Sequence, residues 1–395
     1  MSEITQLDKI LKIKEQLKKI PHVFIEINNE KSINKIYNLF VNGVFDECNK
    51  PENKTEHLYF GIYHASKKDH EKAIKCYEIA FENDNSAEMN NLRFVQENAG
   101  GPLEITIKYL EMVAENGNSV AMNILGLYCE NVKKDYEKAK LYYEKSVEKD
   151  NSFAMNNLAC YYKNVENNCE KAKQYYEKSV EKGNSIGMYN LGLYYEILEK
   201  NDKKAMIYFE MAAKKGNSYA MNNLGCYHEK VVVNYEKAKN YYKMGVEKGN
   251  SLAIYNLGCF YINIENDSKK SIKYFKMAAK KGNSDAMNNL GQYYEYTKKN
   301  HTKSKKYFEM AVNKGNSNAM TNLGVYYINS DKDYKKAIKY FEMGVQKGNS
   351  NAIFNLGFYY ETIEKDCQKA IKYYMDAIKH GFDCQWNLDE CLNKI

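Results

Sequence analysis

An all-α fold, in the form of a right-handed α/α superhelical solenoid of about ten 33-residue helical hairpins, is predicted by three observations on this 395-residue sequence. First, one phrase recurs with little change, as in "KKGNSDAMNNLGQYYE" at 280–295 and "KGNSNAIFNLGFYYE" near the C-terminal end. Second, its anchors Asp84, Gly117, Asp150, Gly183, Gly216, Gly249, Gly282, Gly315 and Gly348 advance by a constant 33 residues, with an echo at Gly381. Third, each period holds two helical patterns of about 12 residues, or ~18 Å of helix, each with its own start signal. A hairpin of that size cannot bury both its faces, so it must stack on the next one.

Taken in order, residues 1–50 break the period. Their amphipathic stretch (Ile4, Leu7, Leu11, Leu17), Pro21 and "SINKIYNLFVNG" suit an N-terminal helical cap or extension. Residues 51–381 form the repeats. After each G-N-S turn, Ser185, Ser218, Ser251 and their equivalents are expected as N-caps. The first helix (A) then places its Ala, Met, Leu and second Tyr on one stripe at about 100° per residue, and the Gly after that Leu allows a neighbouring helix to come close. The second helix (B) starts at Asp69, Asp135, Asn168, Asn201, Asn234, Asp267, Asn300, Asp333 and Asp366, with Pro102 the exception. It ends in Lys-Gly, a cation followed by a residue suited to left-handed backbone. Unit 84–116 is the most irregular, with Arg93 in place of the Gly. Residues 382–395 are expected as a C-terminal capping helix, with Trp386 covering the last repeat.

Composition limits the function classes. The net charge of +7 is spread among interleaved acids, lysines recur at fixed repeat positions, and Arg93 is the only arginine. Lysine at repeated positions reads as a solvated helix face rather than the basic patch of a nucleic-acid binder. The ten cysteines include no C-x-x-C pair and no zinc spacing, and read as reduced apolar residues. The N-terminus shows no apolar signal-peptide core, and no run approaches the ~18 residues of a membrane span. A soluble, cytoplasmic protein is the expectation.

The pattern A-x-x-x-L-G-x-x-Y, D-x-x-K-A-x-x-Y-Y, G-N-S-x-A over roughly residues 52–381 resembles Sel1-like repeats, relatives of tetratricopeptide repeats. It departs from them in lacking a G-x-G-V turn between the helices, which shortens the period. The resemblance implies a non-enzymatic scaffold or adaptor with a protein or peptide partner and no cofactor. Near-identical arrays with this Lys/Asn/Tyr bias are similar to those of giant DNA viruses, which would place the chain in a host cytoplasm.

The residues themselves show no chemistry. There is no Gly-rich phosphate loop, no G-x-S-x-G and no paired carboxylate outside repeated positions. His57, His64 and His70 lie close in sequence but read as packing or surface residues rather than metal ligands.

One row of polar residues invites a functional reading. Asn91, Asn157, Asn190, Asn223, Asn256, Asn289, Asn322 and Asn355 precede the Leu of each A helix, and only Ile124 breaks the row. The N-L-G phrase resembles that of the nuclear O-linked N-acetylglucosamine transferase superhelix, where such asparagines line the concave wall. An amide donates and accepts, so it can pair with a peptide backbone of any sequence. Successive A helices ~8–10 Å apart would match about three residues of extended chain. The alternative is structural: each Asn lies at the edge of the apolar stripe and could bond the neighbouring helix. The position after the Gly (Leu127, Cys160, Leu193, Cys226, Cys259, Gln292, Val325, Phe358) is mostly apolar. That argues against a carboxylate clamp and for an apolar floor. A purely structural spacer or self-assembling rod remains the competing function; the sequence does not set the oligomeric state.

Overall fold

The computed structural model describes residues 117–394 without a break, together with isolated positions between His57 and Glu115. Residues 1–50, Asp69, Asn91, Arg93 and Pro102 lie outside the described residues. The chain divides into two units, Met1–Lys215 and Gly216–Ile395.

In the first unit the described helices are α1 (Ser119–Tyr128), α2 (Tyr136–Val147), α3 (Ser152–Asn164), α4 (Cys169–Glu181), α5 (Ser185–Ile197) and α6 (Asp202–Lys214). In the second they are α7 (Ser218–Lys230), α8 (Tyr235–Glu247), α9 (Ser251–Asn263), α10 (Ser268–Lys280), α11 (Ser284–Gln292), α12 (His301–Asn313), α13 (Ser317–Tyr326), α14 (Tyr334–Gln346), α15 (Ser350–Thr362), α16 (Cys367–Lys379) and α17 (Gln385–Leu392). Short π turns extend α1, α11 and α13. Odd-numbered helices through α15 are A helices and even-numbered ones are B helices. Each pairs with its hairpin partner and then, within its unit, with the next hairpin. Neighbouring A helices touch, whereas neighbouring B helices stay further apart, so each unit curves with its A helices inside.

The start signals hold for B and need correction for A. Asp135, Asn168, Asn201, Asn234, Asp267, Asn300, Asp333 and Asp366 each accept a bond from the backbone N–H three residues on. The A-helix cap, however, is the Asn of G-N-S, not the Ser. Asn250 Oδ1 accepts from the N–H groups of Leu252 and Ala253 at 2.9 and 3.0 Å, and Ser251 is already helical. The preceding glycines are left-handed, Gly249 at φ +74° and Gly282 at φ +85°, as a helix-ending residue with no Cβ permits.

Burial follows the repeat. In α9, Ala253, Ile254, Leu257, Gly258, Phe260 and Tyr261 are buried, while Leu252 and Ile262 are exposed on the opposite side. The Gly after Leu meets a ring of its own hairpin: a Cβ at Gly258 would lie 2.8 Å from the Phe275 ring, and one at Gly291 would lie 2.5 Å from Phe308. The second Tyr of helix A stacks on the first aromatic of helix B, as in Tyr195–Tyr208 (5.4 Å) and Tyr261–Tyr274 (5.3 Å). Lys173 ties hairpins together by bonding Glu199 at 2.7 Å while its ammonium lies 5.2 Å from the Tyr195 ring centre.

The last element departs from expectation. Trp386 is 72% exposed and covers nothing; Cys384, Leu388 and Cys391 close the core instead, with Ala370, Tyr374 and Ala377. No disulfide forms among the described cysteines.

The inter-helix turn explains one stability difference. The residue before the B-helix cap is left-handed throughout, at Lys134, Asn167, Lys200, Val233, Asn266, Lys299, Lys332 and Lys365. Only Val233 (φ 55°) is β-branched, and such side chains are strained there. Replacing it with Asn, as at Asn266, is expected to add about 1 kcal/mol and raise the thermal midpoint measured by circular dichroism. An unchanged midpoint would show that the valine is not strained.

Candidate functional site

The ladder asparagines stand on the inner edge of the A helices and bond backwards to the preceding hairpin. Asn157, Asn190, Asn256 and Asn322 each donate through Nδ2 to the Oδ1 of Asn123, Asn156, Asn222 and Asn288 respectively, all at 2.8 Å. The partner lies 34 residues earlier, one period plus one residue, because it sits just before the ladder position of the previous helix. Where that position is not Asn, the bond changes. Asn289 meets the Tyr255 hydroxyl at 3.4 Å, and Asn355 turns back to the Asn351 carbonyl at 2.7 Å. Asn223 is half-buried. The sequence contained both partners but had no way to show the one-residue offset between neighbouring A helices.

A second asparagine row went unread. The cap residues Asn184, Asn250 and Asn349 donate Nδ2 to Ser152, Ser218 and Ser317 Oγ at 3.2 Å, and Asn316 donates to Ser284 Oγ at 3.3 Å. Each cap therefore finishes its own helix with Oδ1 and grips the previous turn with Nδ2. The signal was present: this Asn persists at Asn151 where the Gly of the turn becomes Asp150.

Around the ladder, Cys226 Sγ takes bonds from Asn256 Nδ2 (3.4 Å) and the Tyr242 hydroxyl (3.5 Å). Burial pushes the Cys160 and Cys259 thiols up, which keeps them protonated at neutral pH. Helix A ends in carboxylates that accept from B-helix tyrosines: Tyr143 to Glu130 at 2.6 Å, Tyr242 to Glu229 at 2.7 Å and Tyr374 to Glu361 at 2.6 Å. Burial drives the Tyr143 and Tyr242 hydroxyls far above their ordinary range, so they act as fixed donors. Burial would raise Glu361 as well, but bonds from Tyr374 and Lys394 outweigh it and hold its carboxyl below the usual range.

In hairpins with Phe instead of Tyr the carboxylate lacks this donor. Glu295 Oε2 is buried without a hydrogen-bond partner, 13 residues before Phe308, the spacing that joins Tyr242 to Glu229. Phe308→Tyr is therefore expected to stabilise by about 1.5 kcal/mol, the contribution of a bond to a charged group. A lowered chemical-denaturation midpoint in this variant would show that the hydroxyl cannot reach.

On the inner face, then, Leu252, Tyr255, Asn256, Cys259 and Ile262 form the surface of α9, and the neighbouring A helices of the unit repeat the arrangement. Among the described residues no group of three or more His, Cys, Asp or Glu side chains could hold a metal ion. No described helix is long and apolar enough to cross a membrane.

Residues 56–85, 119–151, 152–184, 185–217, 218–250, 251–283, 284–316, 317–349 and 350–381 match the family model of the Sel1 repeat. The chain belongs to the Sel1-repeat family. Among solved structures, the chain resembles c5321, a protective antigen present in uropathogenic Escherichia coli strains that displays an SLR fold. The two are 21% identical over 99% of this chain and 88% of that one, with a TM-score of 0.58. A Sel1 repeat protein from Oxalobacter formigenes is 25% identical over 56% of this chain and 96% of that one, with a TM-score of 0.49. No curated protein matches the chain. Sel1-repeat solenoids are in general non-enzymatic modules that mediate protein–protein interaction.

Proposed function

We propose that this Sel1-repeat chain is a scaffold that holds an extended polypeptide segment along the inner face of its A helices. One observation carries the reading. The ladder amides are pinned through Nδ2, while among the described residues no bond reaches the Oδ1 of Asn190, Asn256 or Asn322. Within each unit, bonding between hairpins thus holds acceptors, oriented in advance, that suit the N–H groups of a passing backbone. By sequence position Asn91, Asn157, Asn223, Asn289 and Asn355 belong to the same row, although Asn157 Oδ1 already accepts from Asn156 Nδ2 at 3.4 Å. The half-buried Cys226, Cys259 and Val325 beside it supply apolar contact. Glu196, Glu229 and Glu295 lie on the A-helix side, and the B helices carry the repeated lysines. A neutral or basic segment fits this face, whereas a nucleic acid does not.

The donor half of the ladder also favours a second reading, a spacer or self-assembling rod whose asparagines serve only to set repeat spacing. Crosslinking–mass spectrometry on the protein isolated from its native cell separates the two. A scaffold gives partner crosslinks at the inner-face lysine Lys230, and Leu252→Arg with Ile262→Arg on the neighbouring A helix abolishes them. Met244→Arg, exposed on helix B, leaves them intact. Crosslinks only between copies of this chain would establish the spacer.

A further inference from the structure

The B helices carry a charge pattern on their outer side that the repeat does not require. In α10 the buried residues are Ser271, Phe275, Ala278 and Ala279. At about 100° per residue the opposite side of the helix falls to Lys269, Lys273, Lys276 and Lys280, all of them exposed. The stripe runs for ~16 Å at 1.5 Å per residue, and no acid occurs between Ser268 and Lys281. Among the described residues the only α10 cation with an ion pair or a ring is Lys270, on the flank of the stripe. Asp267 holds it at 3.0 Å, and it lies 5.2 Å from the Tyr261 ring centre. Like charges three and four residues apart on a helix repel, so this face is left with charge that its own unit does not neutralise.

The same positions in α4 hold the opposite charge. Three periods before the lysines stand Glu170, Gln174, Glu177 and Glu181, opposite the buried Ala172, Tyr176 and Ser179. Glu170 and Glu181 are exposed and Glu177 is half-buried. The lysines beside this stripe are already engaged. Lys171 lies 5.0 Å from the Tyr162 ring centre, Lys178 lies 4.7 Å from that of Tyr175, and Lys182 bonds Asp150 at 2.7 Å. Among the described residues the three glutamates make no ion pair, so α4 presents an acidic stripe of the same length and spacing.

We propose that α10 of one copy of this chain docks lengthwise on α4 of a second copy, lysine stripe on glutamate stripe. Lys269, Lys273, Lys276 and Lys280 are separated by 4, 3 and 4 residues, so the stripe reads the same from either end. Each glutamate of α4 therefore meets a lysine whether the two helices run parallel or antiparallel. Single exposed ion pairs contribute little, and one helix face on another belongs to the weak, transient class of interface. The association is accordingly weak, salt-sensitive and set by the whole stripe. It uses B helices and leaves the A-helix face free, so it does not depend on the scaffold reading.

Sedimentation velocity on the full-length protein tests the contact. Concentration-dependent self-association is expected at about 50 mM salt, with the dissociation constant at least about tenfold higher at about 500 mM, where exposed charges are screened. Reversing the four lysines (Lys269→Glu, Lys273→Glu, Lys276→Glu, Lys280→Glu) should leave a monomer. So should reversing the acidic stripe (Glu170→Lys, Glu177→Lys, Glu181→Lys). Mixing the two variants should restore a complex, which also shows that both are folded. Lys298→Glu with Lys299→Glu, at an exposed inter-helix turn, should leave the parent behaviour unchanged. A parent that stays monomeric at low salt overturns the contact, as does a mixture that fails to associate while both variants melt like the parent. Association that persists in the glutamate-reversed variant removes α4 from the contact. A monomeric parent that binds poly-glutamate or a DNA duplex through the lysine stripe overturns the second copy in favour of a general polyanion site. Partner crosslinks at the inner face are unaffected by either reversal, so the scaffold reading stands or falls separately.

Discussion

Gly225→Val is expected to be strongly destabilising. A Cβ at Gly225 would lie 2.5 Å from Cε1 and 2.6 Å from Cδ1 of Tyr242. The ring cannot swing aside freely, because its hydroxyl is held by Glu229 at 2.7 Å. Overpacking at such a site destabilises by about 1–3 kcal/mol, and a β-branched residue on a tethered ring belongs at the top of that range. The sequence contains its own control. At the equivalent position Ala159 is fully buried against a hairpin whose tyrosine, Tyr176, bonds Cys160 Sγ at 3.3 Å, because Lys163 stands where Glu229 would be. Gly225→Ala should therefore be costly alone and should recover part of its loss when combined with Glu229→Lys. Thermal melts of the single and double variants test this. Additive losses would show that the ring, not its tether, sets the tolerance, and an unchanged midpoint for Gly225→Val would remove the close contact altogether.

The period, the hairpins and every described B-helix cap were legible in the sequence because each depends on residues close together in the chain. Asp267 and Lys270 are three residues apart, and their bond is visible in the spacing alone. The A-helix cap was not, because Asn250 and Ser251 are both good caps; which one serves is set by Ser218 in the previous hairpin, whose Oγ takes the other half of the Asn250 amide. Trp386 was misplaced for a different reason. Counting 33 residues puts it at the buried position of Ile353, whereas the helix slips by one and puts it at that of Phe354. The array ends on that slip: it turns the small residues Cys384 and Cys391 inward and frees a large ring. The ladder asparagines were recognised as a row, and their two candidate roles were both visible. The offset that joins Asn256 to Asn222 belongs to helix packing and has no local signal.

Asn256→Asp is expected to lower stability at neutral pH by more than Asn256→Ala, although it changes one atom. In the parent protein Asn256 Nδ2 donates to Asn222 Oδ1 at 2.8 Å and to Cys226 Sγ at 3.4 Å. Alanine removes the donor and leaves the largely buried Asn222 oxygen, 7% exposed for the residue, short of a partner, a loss of about 1–3 kcal/mol. Aspartate adds repulsion, because a carboxylate oxygen then faces the Asn222 carbonyl oxygen. Protonation restores a donor, so the folded-state pKa of the new carboxyl must rise above its ordinary ~3.9. A raised folded pKa means that the stabilising form is present at low pH and is lost as pH rises through that value. The gap in thermal midpoint between Asn256→Asp and the parent should accordingly be wide at pH 7 and narrow towards pH 4, while the Asn256→Ala gap stays constant. A double-mutant cycle with Asn222→Ala should return a coupling of at least about 0.5 kcal/mol. Zero coupling and a pH-independent gap would mean that the amide does not join the hairpins, and the row would then have only a ligand to serve.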